Sequence, residues 1–362
     1  MLDCKFSFFG SFCLLFKHLL IITALTASRK RKYNGCCDWA NLPKDLLYFI
    51  CNKLNLADFL AFSYVCHEWR KSFLETKHIM ASQAPLMSFI TTRGRSNFYR
   101  NNWLGVSSGF LIFGDNIRNI WIKNPITGQE LKFSKVPQPI NQWYRYDQAI
   151  VASIESYPGR FLIAVLSRTR WSSNVCFCVS GYNAWLSCSS GPRNPNIVME
   201  IVIFKGRIFA LTSDFRIGVF DLSCCELLVL NLKGTPALRI KRTRLGVSKD
   251  KLLIIDSGDL PGFKVYWIDF ANMKWREMES LGDESLFMGY KMSARLCNAT
   301  KWGRRSNFIY QLPFISKTCS EISLDGKKAA DIPICPENVS PKMNFWYFLH
   351  HHQGMDSVRS GF

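Results

Sequence analysis

Apolar residues recur at a regular interval along most of the chain, each time as a turn residue followed by a strongly apolar strand. The recurring unit begins at residues 109, 159, 206, 250 and 306, which are 50, 47, 44 and 56 residues apart. A second apolar strand follows each of them, at residues 120–122, 175–179, 217–220, 265–268 and, more weakly, 320–324. A turn and a further strand come next, as in Asn124–Gly128 and Glu130–Phe133. Four strands repeated every 40–50 residues, roughly, are typical of a β-propeller.

The repeat predicts a ring of about six blades. Residues 79–362 number 284, and a repeat of about 47 residues divides this length into six. Five blades are visible in the pattern. The sixth is predicted to be shared between Leu86–Thr91 and Phe345–Leu349, because closing the ring in this way removes exposed sheet edges. A β-sandwich or an irregular β domain stays open as an alternative.

Residues 38–78 show helical periodicity instead. Pro43 suits the start of a helix, because its missing N–H would be unpaired there in any case. Two apolar helical faces follow, formed by Leu46, Leu47, Ile50 and Leu54, and by Phe59, Phe62, Val65, Cys66, Trp69 and Phe73. A unit of about 40 residues buries little surface and usually needs a partner, a metal or disulfides. Since it contains neither metal ligands nor usable disulfides, we expect another protein to cover its apolar faces.

The formal net charge of +19 is unevenly distributed. Residues 79–362 carry 35 basic and 21 acidic side chains, a balance that favours acidic partners or polyanions. The basic residues form no continuous stripe, and the tightest clusters are residues 29–32, 240–244 and 304–305. A solvated basic surface is therefore the preferred interpretation, and nucleic-acid binding is not expected.

The N-terminal segment allows several interpretations. Residues 6–27 are about as long as a membrane helix, but Lys17 and His18 interrupt them near the centre. The basic cluster Arg29–Lys32 would keep the following chain on the cytoplasmic side of a membrane, or would serve as a nuclear-localisation patch. A disordered extension and a start site placed too far upstream are the alternatives. We expect the protein in the nucleus, the cytoplasm or both, with membrane association through residues 6–27 left open.

Candidate catalytic chemistry is sparse. The fourteen cysteines include no Cys-x-x-Cys pair, which indicates free thiols in a reducing compartment. The run His350–His352 is interpreted as solvated rather than as a metal site. No nucleophile elbow, phosphate-binding loop or zinc-protease motif occurs, and the aspartates near strand ends are expected to cap turns. The sequence thus predicts no catalytic residue, no metal and no cofactor.

Residues 38–77 resemble an F-box. The resemblance is carried by Leu42, Pro43, Leu46, Leu47, Ile50, Leu54, Asp58, Phe59, Val65, Cys66, Trp69 and Arg70, all in register with the F-box pattern. It implies docking onto the Skp adaptor of a cullin–RING ubiquitin ligase. The implied adaptor-binding residues are Leu42, Pro43, Leu46, Leu47, Ile50, Leu54, Phe59, Val65, Cys66 and Trp69.

The remainder resembles the KIB-type propeller of plant F-box proteins, the plant domain of unknown function 295. The carrying features are Pro85–Met87, Trp103–Gly105, Asn124–Gly128, and Ser280–Asp283 leading into Leu286–Gly289. The expected fold class is α+β, a small N-terminal helical F-box followed by an all-β propeller-like domain. The expected domains are an apolar and basic extension (1–37), the F-box (38–78), the propeller (79–350) and a tail (351–362).

These resemblances imply a non-catalytic substrate-recognition subunit of an SCF-type (Skp–cullin–F-box) ubiquitin ligase. Its expected partners are the adaptor, cullin through the adaptor, and a target protein. The alternatives are an F-box scaffold or decoy without ligase output, and a polyanion-binding propeller. Basic and aromatic loops are the candidate target-binding surface, because Trp, Tyr and Arg dominate interface hot spots. The candidate residues are Trp143, Tyr144, Arg168, Arg170, Trp171 and Trp302.

Overall fold

The structure is a computed structural model, and its contacts divide the chain into two units, residues 1–83 and 84–362. The described residues are 42–54, 62–63, 65–80, 86–90, 103–115, 118–124, 129–137, 145–155, 159–169, 171–190, 197–238, 243–257, 262–299, 304–335, 341, 343–348 and 357–358. Within these residues no helix is long and apolar enough to cross a membrane. The candidate membrane segment, residues 6–27, lies outside them.

The described residues of the first unit form two helices, α1 (Lys44–Lys53) and α2 (His67–Met80). Pro43 precedes α1 and its carbonyl accepts the N–H groups of Leu46 and Leu47, at 3.0 and 3.1 Å. The helix ends at Leu54, whose backbone is extended. The buried apolar side chains among the described residues of this unit are those of Leu47, Cys51, Leu54, Phe62 and Phe73. The unit therefore has an apolar interior of its own.

The second unit consists of strands. In chain order they are β1 (Leu86–Ile90), β2 (Trp103–Ser107), β3 (Phe110–Gly114), β4 (Ile120–Lys123), β5 (Glu130–Phe133), β6 (Arg145–Ile154), β7 (Phe161–Arg168), β8 (Ser173–Val179), β9 (Leu186–Ser190), β10 (Val198–Phe204), β11 (Arg207–Thr212), β12 (Ile217–Asp221), β13 (Glu226–Val229), β14 (Thr243–Val247), β15 (Leu252–Asp256), β16 (Lys264–Asp269), β17 (Lys274–Met278), β18 (Glu284–Gly289), β19 (Ala294–Asn298), β20 (Phe308–Leu312), β21 (Thr318–Ser323), β22 (Lys328–Pro333), β23 (Met343–Tyr347) and β24 (Ser357–Val358).

Four blades are antiparallel meanders of four consecutive strands, β2–β5, β6–β9, β10–β13 and β14–β17. The recurring apolar unit of the sequence forms the second strand of each of these blades, and the apolar run after it forms the third. These strands were predicted from the repeat, and the structure confirms them. Their long apolar runs have a simple cause, since both faces of a blade are buried. In β10, Ile201 and Ile203 pack toward the second blade while Val202 and Phe204 pack toward the fourth.

The fifth blade departs from this pattern. Its strand order is β19-β18-β20-β21-β22, so that β18 lies between β19 and β20 and runs parallel to β20. The strand β19 also pairs in parallel with β14, with Gly246 opposite Ala294. The fourth and fifth blades thereby form one nine-stranded sheet.

The ring closure that the sequence predicted, between a strand near the start and one near the end of the propeller, is confirmed. The strands β1 and β23 pair antiparallel, with Ser88 opposite Phe345. Contacts run from β2 to β6, β10, β14 and β19 in turn, and β23 contacts both β18 and β2. The described strands of this unit thus follow one another around a ring, which agrees with a propeller-like domain and not with a sandwich. Within the predicted tail, β24 adds to β6 in parallel, with Ser357 opposite Ser153.

Candidate functional site

The predicted adaptor-binding residues separate into buried and exposed groups. Leu47 and Leu54 are only 1% and 5% exposed and belong to the interior of the helical unit. Leu46, next to Leu47, is 50% exposed. Successive residues of a helix point about 100° apart, which explains the difference. A direct contact of Leu47 or Leu54 with an adaptor stays a prediction. Their burial shows that both side chains also contribute to the packing inside the helical unit.

Large apolar side chains on the outside of this unit form what we call the exposed apolar set: Leu46, Phe49, Val65 and Leu74. Phe49 is the most exposed of them, at 61%. Phe49 and Leu74 were not among the predicted site residues. The spacing of three residues between Leu46 and Phe49, which places both on one side of a helix, was the available signal. Leu46 and Phe49 thus expose two large apolar side chains side by side on α1, and a contiguous exposed apolar patch is typical of a protein-binding surface.

The other predicted residues are intermediate or lie outside the described residues. Pro43 is exposed at the start of α1, whereas Leu42, Ile50, Cys66 and Trp69 are half-buried. The Trp69 ring packs on Phe62, with 4.5 Å between ring centroids. Phe59 lies outside the described residues.

A polar cluster joins the two helices. The ammonium Nζ of Lys44 lies 3.0 Å from Oε2 of Glu75, and the Tyr48 hydroxyl donates to the same carboxylate. The hydroxyl of Tyr48 and the ammonium of Lys44 lower the pKa of Glu75. Because the Lys44 and Glu75 side chains are 54% and 35% exposed, the ion pair contributes little to stability, and its main effect is to link α1 to α2.

Of the candidate target-binding residues, only Arg168 and Trp171 lie within the described residues. Arg168 is the last residue of β7, and Trp171 lies in the turn between β7 and β8. Trp171 is 75% exposed. Arg168 is already engaged, because its Nε lies 2.6 Å from Oδ2 of Asp147 and its Nη1 lies 3.2 Å from Sδ of Met199. Trp143, Tyr144, Arg170 and Trp302 fall outside the described part of the chain. The target-binding role of this surface stays a prediction.

The centre of the ring is occupied by the turn between β18 and β19, residues 290–293, which we call the axial turn. The Lys291 ammonium donates to the carbonyl oxygens of Trp103, at 3.0 Å, and Tyr146, at 3.3 Å. The Arg244 guanidinium donates to the carbonyl of Met292 at 2.8 Å. A turn of the fifth blade that contacts β2, β6 and β14 can do so only at the ring axis. Burial lowers the pKa of Lys291.

Sequence reasoning missed this arrangement. Arg244 belonged to a cluster interpreted as a solvated basic surface, and this is wrong for Arg244, which pairs with the buried Glu200. Lys291 carries no local signal, since its partners are backbone carbonyls more than 140 residues away along the chain.

Every cysteine among the described residues is a free thiol, as predicted. Burial raises the pKa of Cys188 to about 11 and those of Cys297 and Cys319 to about 12. A thiol in this state is a poor nucleophile at neutral pH. In the described part of the chain, no group of three or more His, Cys, Asp or Glu side chains is placed to hold a metal ion.

Two of the aspartates near strand ends, Asp221 and Asp269, cap turns as predicted. The Asp221 carboxylate accepts the backbone N–H of Ser223, and that of Asp269 accepts the backbone N–H of Asn272. Both are therefore accounted for by local structure. Asp259 lies outside the described residues.

A small helical unit followed in the chain by a propeller-like domain defines a class of proteins that joins an interaction module to a β-propeller. A family model described as F-box domain matches residues 39–76, and one described as KIB1-4 beta-propeller matches residues 78–335. The chain belongs to the plant F-box proteins with a C-terminal KIB-type propeller.

Curated relatives from Arabidopsis thaliana agree with this assignment. The F-box protein At2g26160 is 25% identical over 79% of this chain and 99% of the relative. The F-box/kelch-repeat protein At3g18720 is 24% identical over 61% of this chain and 67% of the relative. The probable F-box protein At4g22060 is 20% identical over 75% of this chain and 83% of the relative.

Proposed function

We propose that this chain is the substrate-recognition subunit of an SCF-type E3 ubiquitin ligase. In this proposal the F-box unit docks a Skp-type adaptor and, through it, cullin, while the propeller binds a target protein. The observation that carries the proposal is the exposed apolar set on a unit whose interior is already filled by Leu47, Cys51, Leu54, Phe62 and Phe73.

The energetics favour docking through this surface. Leu46 and Phe49 are each at least half exposed, so their burial against a partner removes apolar area from water without unfolding the unit. Apolar anchors at the centre of an interface typically cost about 2 kcal/mol or more when truncated. Two or three such anchors are enough to decide whether the adaptor binds.

The proposed contribution to ubiquitin transfer is proximity. A receptor that holds a target beside the transferring subunits converts an encounter into an intramolecular step. The buried thiols, whose pKa values are raised, are unsuited to carry ubiquitin. We propose that the chain acts in the nucleus, the cytoplasm or both.

The direct test is copurification of the full-length chain with a purified Skp-type adaptor. The double variant Leu46→Asp with Phe49→Asp should lose the adaptor, because it places two charges in the apolar contact. Leu228→Asp is the matched control, since Leu228 is a similarly exposed leucine on β13 of the propeller. Equal adaptor recovery from wild type and the double variant would refute docking through this surface.

Ligase output is tested separately by reconstitution with adaptor, cullin and the ubiquitin-transferring subunits. Ubiquitination of a captured target, or of the chain itself, supports the receptor proposal. Adaptor binding without any transfer would support the scaffold or decoy alternative. Capture of polyanions in place of a protein target would support the polyanion-binding alternative.

A further inference from the structure

Three cysteine thiols lie at the junction of the second and third blades. Cys188 is on β9, the outer strand of the second blade, and Cys224 and Cys225 are adjacent in the turn between β12 and β13 of the third. All three are reduced; Cys224 is exposed, and Cys188 and Cys225 are half-buried. Neither the adaptor-binding surface nor the candidate target-binding turn uses them, so their chemistry is unassigned.

The side chain of Cys188 points from the second blade toward the third. It packs against the apolar cluster that the two blades share, as do Leu222 and Leu227 of the third blade. Burial raises the pKa of the Cys188 thiol to about 11, against the smaller opposing effect of the backbone N–H of Leu227 beside the sulfur. The Cys188 sulfur therefore lies near the start of β13.

Cys225 approaches the same place from the third blade. It stands two residues before Leu227, and its Sγ lies 3.9 Å from the carbonyl oxygen of Leu222. Leu222 and Leu227, which pack with Cys188 in the shared cluster, are thus also the sequence neighbours of Cys225. After burial, the Cys225 thiol contributes most to the raised pKa of Cys188, and it contributes more than Cys224 does. Cys188 and Cys225 are therefore the two thiols best placed to react with each other.

We propose that Cys188 and Cys225 form a reversible disulfide between the second and third blades when the protein meets hydrogen peroxide. The Cys225 sulfur attacks a peroxide oxygen, the O–O bond breaks, and a sulfenic acid and water form. The Cys188 sulfur then attacks the sulfenic sulfur. The S–S bond forms, the S–O bond breaks, and the hydroxyl leaves as a second water with the proton of Cys188. Peroxide thus accepts two electrons from two thiols.

The proposed bond is an oxidative modification and not a permanent part of the fold. Disulfides in reducing compartments are usually transient or redox-sensing. Ser223 and Cys224 of the β12–β13 turn are exposed, so the turn can adjust to a disulfide, whose Cα atoms lie within about 7 Å of each other. This modification site goes beyond the proposed function, and its test involves neither adaptor nor ligase, so the two can fail independently.

The experiment treats the reduced full-length chain with hydrogen peroxide at low protein concentration. The remaining thiols are then alkylated, and the chain is digested with trypsin without reductant. Trypsin releases Cys188 in the peptide 171–193 and Cys225 in the peptide 217–233. Mass spectrometry should find the two peptides joined, at their summed mass less two hydrogen atoms, and separate after dithiothreitol. Fragment ions should assign the bond to Cys188 and Cys225.

Serine variants identify the reacting pair. Cys188→Ser and Cys225→Ser should each abolish the joined species. Cys224→Ser is the matched control, because it removes the adjacent and more exposed thiol of the same turn, and it should leave the joined species intact. Loss in Cys224→Ser together with retention in Cys225→Ser would overturn the assignment. The wild-type digest needs no variant and decides the proposal if a variant fails to fold.

The remaining outcomes of the wild-type digest are equally decisive. A bond between Cys224 and Cys225 within one peptide, or oxidation of these thiols to sulfinic acids without any joined species, overturns the proposal. Non-reducing electrophoresis shows whether the bond lies within one chain. A joined species confined to a covalent dimer would overturn the proposal, whereas one in the monomer supports it. The oxidised monomer should also unfold at a higher urea concentration than the reduced one, because the bond restricts the unfolded chain.

Discussion

Glu200 of β10 and Arg244 of β14 form a two-point ion pair between the third and fourth blades. Nε lies 3.1 Å from Oε2 and Nη2 lies 3.1 Å from Oε1. The Glu200 side chain is only 7% exposed and also accepts the N–H of Leu245 at 2.8 Å. Since Arg244 holds the axial turn as well, one guanidinium connects three blades.

Arg244→Met should therefore be strongly destabilising. It leaves the Glu200 carboxylate buried without its countercharge, and such losses cost about 3 kcal/mol or more. Urea unfolding followed by tryptophan fluorescence measures the change. The control is Arg216→Met, whose partner Asp214 is half exposed, and which should cost less than about 1 kcal/mol. Similar midpoints for the two variants would contradict a structural role for the Glu200–Arg244 pair.

The backbone of Gly105, on β2, lies directly against the axial turn. A Cβ here would lie 2.7 Å from the Lys291 carbonyl oxygen and 3.0 Å from that of Ala149, and φ is +152°. Both neighbours are backbone atoms, so relief requires a shift of the axial turn or of β6. We expect Gly105→Ala to lower the free energy of unfolding by about 2–3 kcal/mol.

The matched control for this change is Gly159→Ala. Gly159 also has a positive φ, +83°, but nothing lies within 4 Å of a Cβ there. Backbone strain alone should cost it about 1 kcal/mol. Urea midpoints separate the two contributions, and an equal loss at both positions would rule out the steric contact at the ring axis.

Asp269, at the end of β16, predicts a pH dependence of stability. The side chain of Asn272, followed by that of Arg276, lowers the pKa of Asp269 from 3.8 to about 2. A carboxyl group whose pKa falls on folding stabilises the fold above its unfolded pKa, and that contribution is lost as the pH drops from 3.8 toward 2. The stability difference between wild type and Asp269→Asn should be full near about pH 6 and shrink below about pH 4. A difference that stays constant across this range would be inconsistent with the lowered pKa.

The strands were predictable because blade formation is local. A turn followed by an apolar run forms a hairpin with its sequence neighbour, so β3, β7, β11 and β15 follow from the repeat. The longest spacing, 56 residues between positions 250 and 306, contains both β18 and β19, and the sequence analysis drew no additional strand from it. The parallel pairing of β18 with β20 was not predictable, because it depends on contacts around the ring and not on neighbouring residues.

Site residues were predictable to the extent that they follow helical periodicity. The pattern identified Leu46 and Leu47 equally, since both are apolar and adjacent. Which of them faces the interior depends on the packing of α1 against α2, and this requires the structure. Arg244 was not predictable in this way. Its charge indicates an exposed residue, but it pairs with the buried Glu200, which lies 44 residues earlier in the chain.

Leu46 and Leu47 should respond in opposite ways to truncation. Leu47→Ala opens a cavity in the interior and should destabilise the helical unit by about 2–5 kcal/mol, measured as faster hydrogen exchange of residues 44–53. Leu46→Ala should leave that exchange rate unchanged and weaken adaptor binding about tenfold or more, measured by calorimetry. If Leu46→Ala accelerates exchange as much as Leu47→Ala does, the division into interior and docking surface is incorrect.

Trp171 is the sharpest probe of the candidate target-binding surface. Its side chain is 75% exposed in the turn between β7 and β8, so Trp171→Ala should leave the unfolding midpoint unchanged. Arg168 is less suitable alone, since its replacement also removes the ion pair that Arg168 makes with Asp147. If the target docks here through acidic groups, the triple replacement of Arg168, Arg170 and Trp171 by Ala should reduce target capture at least about tenfold and leave adaptor binding intact.

Added salt should also weaken this capture, because charges are screened over about 8 Å at physiological ionic strength. Tyr182→Ala is the matched control, an exposed aromatic residue on the same blade that lies outside this turn. Pull-downs with the target, once identified by proximity labelling, provide the measurement. Capture that resists both the triple replacement and salt would exclude the turn between β7 and β8 as the receptor surface. The next candidate would be the axial turn, where Tyr290 is exposed beside Phe314.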